Sequence, residues 1–129
     1  MSSSEAVTRH IRVRVEAEYA PEQSLPMHNR WFFRYTVAVA NEGPHDVQLV
    51  SRHWIITDAA ERTEEVRGLG VVGQQPVLGP GERFVYTSGC PLPTPTGTMH
   101  GTYRVVTREG EGYDVEIAPF RLEAPYSIH

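Results

Sequence analysis

An all-β sandwich of immunoglobulin or fibronectin type III character, with about seven to eight strands, is the fold this sequence predicts. Three observations carry that expectation. Seven runs show period-two alternation or dense β-branched and aromatic content, turn residues separate them at near-regular intervals, and no stretch of ten or more residues has a 3.6-residue period.

The first eight residues read as a disordered leader, and the domain is expected over 9–123 with a tail at 124–129. From residue 11 the alternation is strict: Ile11, Val13, Val15, Ala17 and Tyr19 face one way, Arg12, Arg14, Glu16 and Glu18 the other. That pattern is a half-buried strand. Residues 30–41 are aromatic and β-branched and form a second strand, with Trp31, Phe33, Tyr35, Val37 and Val39 on one side. Gly43 and Pro44 then mark a turn. A third strand spans about 47–58, but Arg52 shares parity with Val50, Trp54 and Ile56. Either a bulge or a partly covered second face would account for it.

A glycine-interrupted fourth strand is predicted over 63–72. Pro80 and Gly81 suit the central positions of a type II turn, because Pro presets φ and Gly supplies a positive one. Residues 83–88 form a fifth strand. The stretch 89–97 carries Pro91, Pro93 and Pro95, too many missing amides for a central strand, so an exposed, stiff loop is expected there. A sixth strand covers 98–108. A seventh begins at Tyr113, and Pro119 shifts its apolar phase to Phe120 and Leu122, as a bulge or edge break would. Trp31, Phe33, Trp54, Phe84 and Tyr103 are expected in the core.

Composition narrows the function classes. At 129 residues the chain is one domain on size, and its formal charge of -4 is opposite to the basic excess of a nucleic-acid binder. All twelve cationic side chains are arginine. Schiff-base chemistry and a phosphate-loop lysine are therefore excluded, while bidentate anion binding by arginine survives. Cys90 is the only cysteine, so no intrachain disulfide and no C-x-x-C site can form, in keeping with a reducing cytoplasm. The first residues lack the blocks of a signal peptide, and no apolar run is long enough to span a bilayer. A cytoplasmic protein without membrane insertion is expected.

Four apparent motifs need weighing. Gly68, Gly70 and Gly73 have the G-x-G-x-x-G spacing, but a dinucleotide site also needs a following helix and an acidic residue about twenty positions on. Pro76 and Pro80 deny the helix, and no Asp or Glu lies between Glu82 and Glu109. What is left is an anion nest of backbone amides, helped by Arg67 or Arg83; set against it, the glycines simply permit bulges and close sheet approach. Six histidines include no metal-ligand pair by spacing, and His53, His100 and Cys90 form the one cross-strand combination worth testing. No nucleophile elbow or comparable constellation points to catalysis. Pro91, Pro93, Thr94, Pro95 and Gly97 form the candidate partner loop, since loops on rigid sandwiches carry recognition. Unpaired edge strands leave room for a homodimer.

Three segments in order, Gly-Leu-Gly-Val-Val-Gly-Gln-Gln-Pro at 68–76, Leu-Gly-Pro-Gly-Glu-Arg-Phe-Val-Tyr-Thr-Ser-Gly at 78–89 and Thr-Pro-Thr-Gly-Thr-Met-His-Gly-Thr-Tyr at 94–103, resemble the core signature of the bacterial ApaG family. The resemblance extends from about Ile11 to Leu122. Leu69 departs from the small or acidic residue expected in the glycine motif. The resemblance implies a fibronectin type III-like sandwich, an association with cobalt resistance and magnesium efflux, and relatives that act as protein-binding modules. It supplies no catalytic residues, and its pyrophosphate-binding proposal maps only to Gly68, Gly70 and Gly73; no cofactor is expected. The expected function is a non-enzymatic adaptor in divalent-cation homeostasis that works through an unidentified protein partner. The alternative is a direct binder of a pyrophosphate-containing nucleotide or a divalent ion at the glycine turn.

Overall fold

A computed structural model describes residues 1–125. It contains nine strands, β1 (Ser2–Thr8), β2 (Ile11–Tyr19), β3 (Trp31–Asn41), β4 (Val47–Asp58), β5 (Thr63–Leu69), β6 (Val77–Leu78), β7 (Arg83–Leu92), β8 (Thr96–Thr107) and β9 (Gly112–Glu123). They make two antiparallel sheets, ordered β1-β2-β3-β7 and β5-β4-β8-β9, with β6 extending the β5 edge of β4. The expected tail at 124–129 lies outside the described residues from position 126 onward.

Two of the nine strands, against about seven to eight expected, fall outside the seven runs read from the sequence. The supposed disordered leader is β1, in full antiparallel register with β2 from Ser2↔Ala17 to Thr8↔Ile11. Its side chains are too polar to announce a strand, because its stabilising contacts are hydrogen bonds. Ser2 and Ser4 hydroxyls donate to the carbonyls of Arg121 and Ala118, and the Glu116 N–H donates to Thr8 Oγ1. β1 therefore seals one flank of the sandwich against β9. The second addition, β6, is only two residues long.

The core lies between the sheets and follows the alternation. Val13, Val15, Val37, Val39, Leu49, Val105, Val115 and Ile117 are fully buried. Trp54 packs edge-on against Tyr35, Tyr103 and Phe120 with centroids 5.3, 6.3 and 6.0 Å apart, the arrangement ring quadrupoles favour. Phe33 and Tyr103 join it in full burial, whereas Trp31 and Phe84 sit half-buried at its margin.

Both phase breaks in the sequence are bulges. In β4 the register against β8 slips between Leu49 and Ser51, leaving Val50 as the extra residue. Inward-facing positions change there from Val47 and Leu49 to Arg52, Trp54 and Ile56, so Arg52 points between the sheets. In β9 the register slips opposite His100, at Ala118 and Pro119.

Candidate functional site

The glycine stretch forms the end of β5 and a tight turn. Val71 and Gln74 exchange backbone hydrogen bonds of 2.8 and 2.9 Å around Val72 and Gly73, whose φ values are +42° and +79°. Gly70, at φ +66°, donates its N–H to the Val50 carbonyl at 2.8 Å. A Cβ on Gly70 would lie 2.4 Å from the Gln74 carbonyl oxygen, so only glycine fits. The bulge at Val50 presents the carbonyl that anchors this turn, and the Gln75 side chain donates to the same oxygen at 2.9 Å.

Arg52 completes the arrangement. Its guanidinium donates to the carbonyls of Leu69 and Gly70 at 3.0 and 2.9 Å and occupies the space where a Cβ on Gly68 would fall. The amides of Gly70, Val71 and Gln74 are thus committed inside the protein, and the adjacent cation is committed to carbonyls. An anion nest needs convergent, uncommitted amides. The predicted anion helpers do not assemble either: Arg67 pairs with Glu65 at 3.1 Å, and Arg83 begins β7 in the opposite sheet. The glycines shape the turn and make room for Arg52.

His53 and His100 both face outward on the β4–β8 surface, but His53 pairs with Glu65 at 2.8 Å and Cys90 points into the core from the other sheet. The proposed trio is not brought together. Among the described residues, no group of three or more His, Cys, Asp or Glu is placed to hold an ion.

The expected proline loop is shorter than its sequence suggested. β7 continues through Leu92 and β8 begins at Thr96, leaving a turn at 93–95. Pro91 is tolerated because β7 is an edge strand. Its partner Phe32 bonds away from it, accepting from the Ala20 N–H at 2.8 Å and donating its own N–H to Ser24 Oγ at 2.9 Å, so no amide is needed at Pro91. Three of the candidate partner residues are structural. Thr94 Oγ1 accepts from Ala59 N–H at 3.0 Å and donates to the Thr96 carbonyl at 2.8 Å. The Pro95 carbonyl accepts from Ala124 N–H at 2.9 Å. Gly97 is buried in β8, where a Cβ would lie 2.6 Å from the Thr57 carbonyl oxygen.

Pro91 and Pro93 remain exposed, and beside them lies a feature that sequence reasoning passed over. The loop between β2 and β3 folds back on itself: Leu25 and Arg30 exchange backbone bonds of 2.8 and 3.1 Å around a single 3-10 turn, Pro26–His28. Leu25 is 55% and Met27 95% exposed. A shallow cleft of about 390 Å³ separates Leu25, His28 and Arg30 from Pro91 and Pro93. A second, of about 280 Å³, lies on the far side of the prolines against Arg62, Thr63 and Glu64. Leu25 across from rigid prolines, with a flexible exposed methionine on the same pinned loop, makes a surface suited to docking a protein segment. The signal in the sequence was an apolar pair, Leu25 and Met27, inside a loop too short to bury it.

The ionisable groups that shift include buried phenols, one buried thiol and paired carboxylates. Burial pushes the Cys90 thiol up to about 12 and raises Tyr35, Tyr86 and Tyr103 above the ordinary phenol range. The hydroxyls of Tyr86 and Tyr103 hydrogen-bond to each other. The carboxylates that shift, such as Glu5, Glu22 and Glu42, shift downward because exposed arginines bond them. None of these shifts poises a group near neutral pH for acid–base work.

Comparison with known proteins gives a consistent result. The ApaG domain family model matches residues 21–107. A protein named ApaG from Bordetella pertussis is 57% identical over 119 residues, covering 92% of this chain and 91% of the relative. One of the same name from Rhodopseudomonas palustris is 54% identical over 120 residues, covering 93% and 92%. The crystal structure of a putative ApaA protein from Bordetella pertussis superposes with a TM-score of 0.87 at 57% identity, covering 91% of this chain and 95% of that one.

Proposed function

This chain belongs to the ApaG family, and on that premise we propose that it is a non-catalytic binding module that acts in cobalt and magnesium homeostasis through a protein partner. The observation that carries this reading is the proline end. Leu25 and Met27 stand exposed on a backbone-pinned loop beside Pro91 and Pro93, so an apolar segment can dock without ordering the receptor first. The glycine turn, with the amides of Gly70, Val71 and Gln74 and the Arg52 guanidinium committed internally, favours this over direct phosphate binding.

The reading is tested by affinity capture from a cell extract with wild type and a Leu25→Ser, Met27→Ser double variant. A partner recovered by wild type and lost by the variant supports it; identical partner sets from both reject the proline end as the docking surface. Calorimetry with diadenosine tetraphosphate, ATP, cobalt and magnesium probes the direct-binder alternative. Saturable heat that disappears on Arg52→Ala would return the function to the glycine turn.

A further inference from the structure

The two flanks of the sandwich end differently. On one, β1 and β9 are stitched together by the hydroxyls of Ser2, Ser4 and Thr8. On the other, β5 and β7 leave their outer edges unpaired. β5 is short and carries Glu64, Glu65 and Arg67, the charged defence usual for an edge strand. β7 is ten residues long, and its one charge is Arg83 at the first position.

The direction of its backbone groups follows from Phe32. Because Phe32 directs both its N–H and C=O away from Pro91, the Pro91 position faces the open side, and alternation turns Arg83, Val85, Thr87 and Gly89 the same way. The missing proline amide lies beyond this window. Arg83, Val85, Thr87 and Gly89 are all exposed.

We propose that β7 pairs with β7 of a second copy of this chain, antiparallel and centred on Tyr86, giving a two-fold dimer with one continuous eight-stranded sheet. Three features select this occupant and register. Centring on Tyr86 places Val85 opposite the second copy's Thr87, a β-branched pair of the kind that stabilises sheets, and uses every open backbone position before Pro91. It also places Arg83 of one copy opposite Gly89 of the other. Gly89 has no side chain, and the Phe32 ring fills the space above it, with a Cβ there lying only 2.2 Å from the ring. Arg83, which has no acidic partner among the described residues, is thereby offered an aromatic face, a cation–π contact. Finally, β5 on the same flank is self-complementary about Val66, with Glu65 facing Arg67 of the second copy if the two edges meet. The pairing window ends at Gly89, so the proline end stays accessible and this inference stands independently of the partner reading.

Sedimentation velocity on the full chain, over about 1 to 200 µM, tests the proposal, a range that brackets the affinity of a modest interface. Wild type is expected to pass from monomer to dimer. Thr87→Pro deletes an outward N–H that the monomer does not use, and is expected to stay monomeric with an unchanged far-UV spectrum. Arg83→Glu is expected to raise the dissociation constant about tenfold. Register is read from two double variants: Val85→Lys with Thr87→Lys faces like charges and dissociates, whereas Val85→Lys with Thr87→Glu faces opposite charges and dimerises. A wild type that remains monomeric throughout overturns the proposal, as does a folded Thr87→Pro dimer. Should Thr87→Pro fail to fold, the double variants decide: equal behaviour of the two rejects the register.

Discussion

The glycine turn, which the sequence marks out, and the proline end, which it marks only through Pro91 and Pro93, use their polar groups in opposite ways. At the glycine turn three amides and the neighbouring cation are already engaged. Gly70, Val71 and Gln74 spend their amides on internal carbonyls, and Arg52 spends its guanidinium on Leu69 and Gly70. At the proline end the backbone is also bonded, but apolar side chains are left over: Leu25, Met27, Pro91 and Pro93 stand exposed to water. The contrast teaches that a motif should be judged by what remains uncommitted after folding. On that measure the conspicuous motif is scaffold and the inconspicuous loop is the candidate surface.

The comparison breaks most visibly at Gly70. An alanine there must hold a positive φ and bring its Cβ within 2.4 Å of the Gln74 carbonyl oxygen. Left-handed backbone costs an alanine about 1 kcal/mol and the clash about 2 more, so Gly70→Ala is expected to destabilise by about 3 kcal/mol in urea unfolding. A change below about 0.5 kcal/mol would mean the turn is free to adapt, and therefore free to receive a ligand. Arg52→Ala is the next largest. It removes the donor that Leu69 and Gly70 carbonyls share and leaves a gap beside Gly68. A loss of about 2 kcal/mol is expected, typical for a charged donor to backbone oxygen. If Arg52 were instead a ligand cation, the same variant would keep its stability and lose a binding heat.

Why the sequence revealed one region and concealed the other can be traced to particular residues. Strands whose inward positions are apolar, such as Ile11 to Ala17 in β2 and Val37 to Val39 in β3, declare themselves through period two, and the sandwich follows from them. β1 does not, because Ser2, Ser4 and Thr8 hold it by hydroxyl bonds to β9, more than a hundred residues away in sequence. The phase slip at Arg52 was visible, yet the choice of a bulge required knowing that the Val50 carbonyl anchors Gly70. Proline content argued against a central strand over 89–97, yet edge position allows Pro91 to sit in β7, and Thr96 and Gly97 already open β8 between β4 and β9. The candidate site was least legible. Exposure of Leu25 and Met27 depends on the backbone pairing of Leu25 with Arg30, and hydropathy alone reads both residues as interior.

A smaller effect of the opposite sign belongs to Val72. A β-branched residue at φ +42° sits in backbone space that glycine occupies at no penalty. Its side chain is about half exposed and gives little packing in return. Val72→Gly should therefore stabilise the protein by about 1 kcal/mol, the cost of the left-handed conformation less the added freedom of the unfolded chain. A destabilisation would show that Val72 makes contacts worth more than its strain.

The smallest stability change should come from Leu25→Ser with Met27→Ser, and it sharpens the comparison most. Both side chains are majority-exposed, and the loop is held by backbone bonds between Leu25 and Arg30 that serine preserves. Unfolding free energy should shift by less than about 0.5 kcal/mol, as for surface substitutions away from special features. Gly70→Ala would then cost stability without touching the proline end, while the double serine variant would cost partner recovery without touching stability. A double serine variant that loses several kcal/mol would place Leu25 and Met27 among the structural residues, and the proline end would join the glycine turn as scaffold.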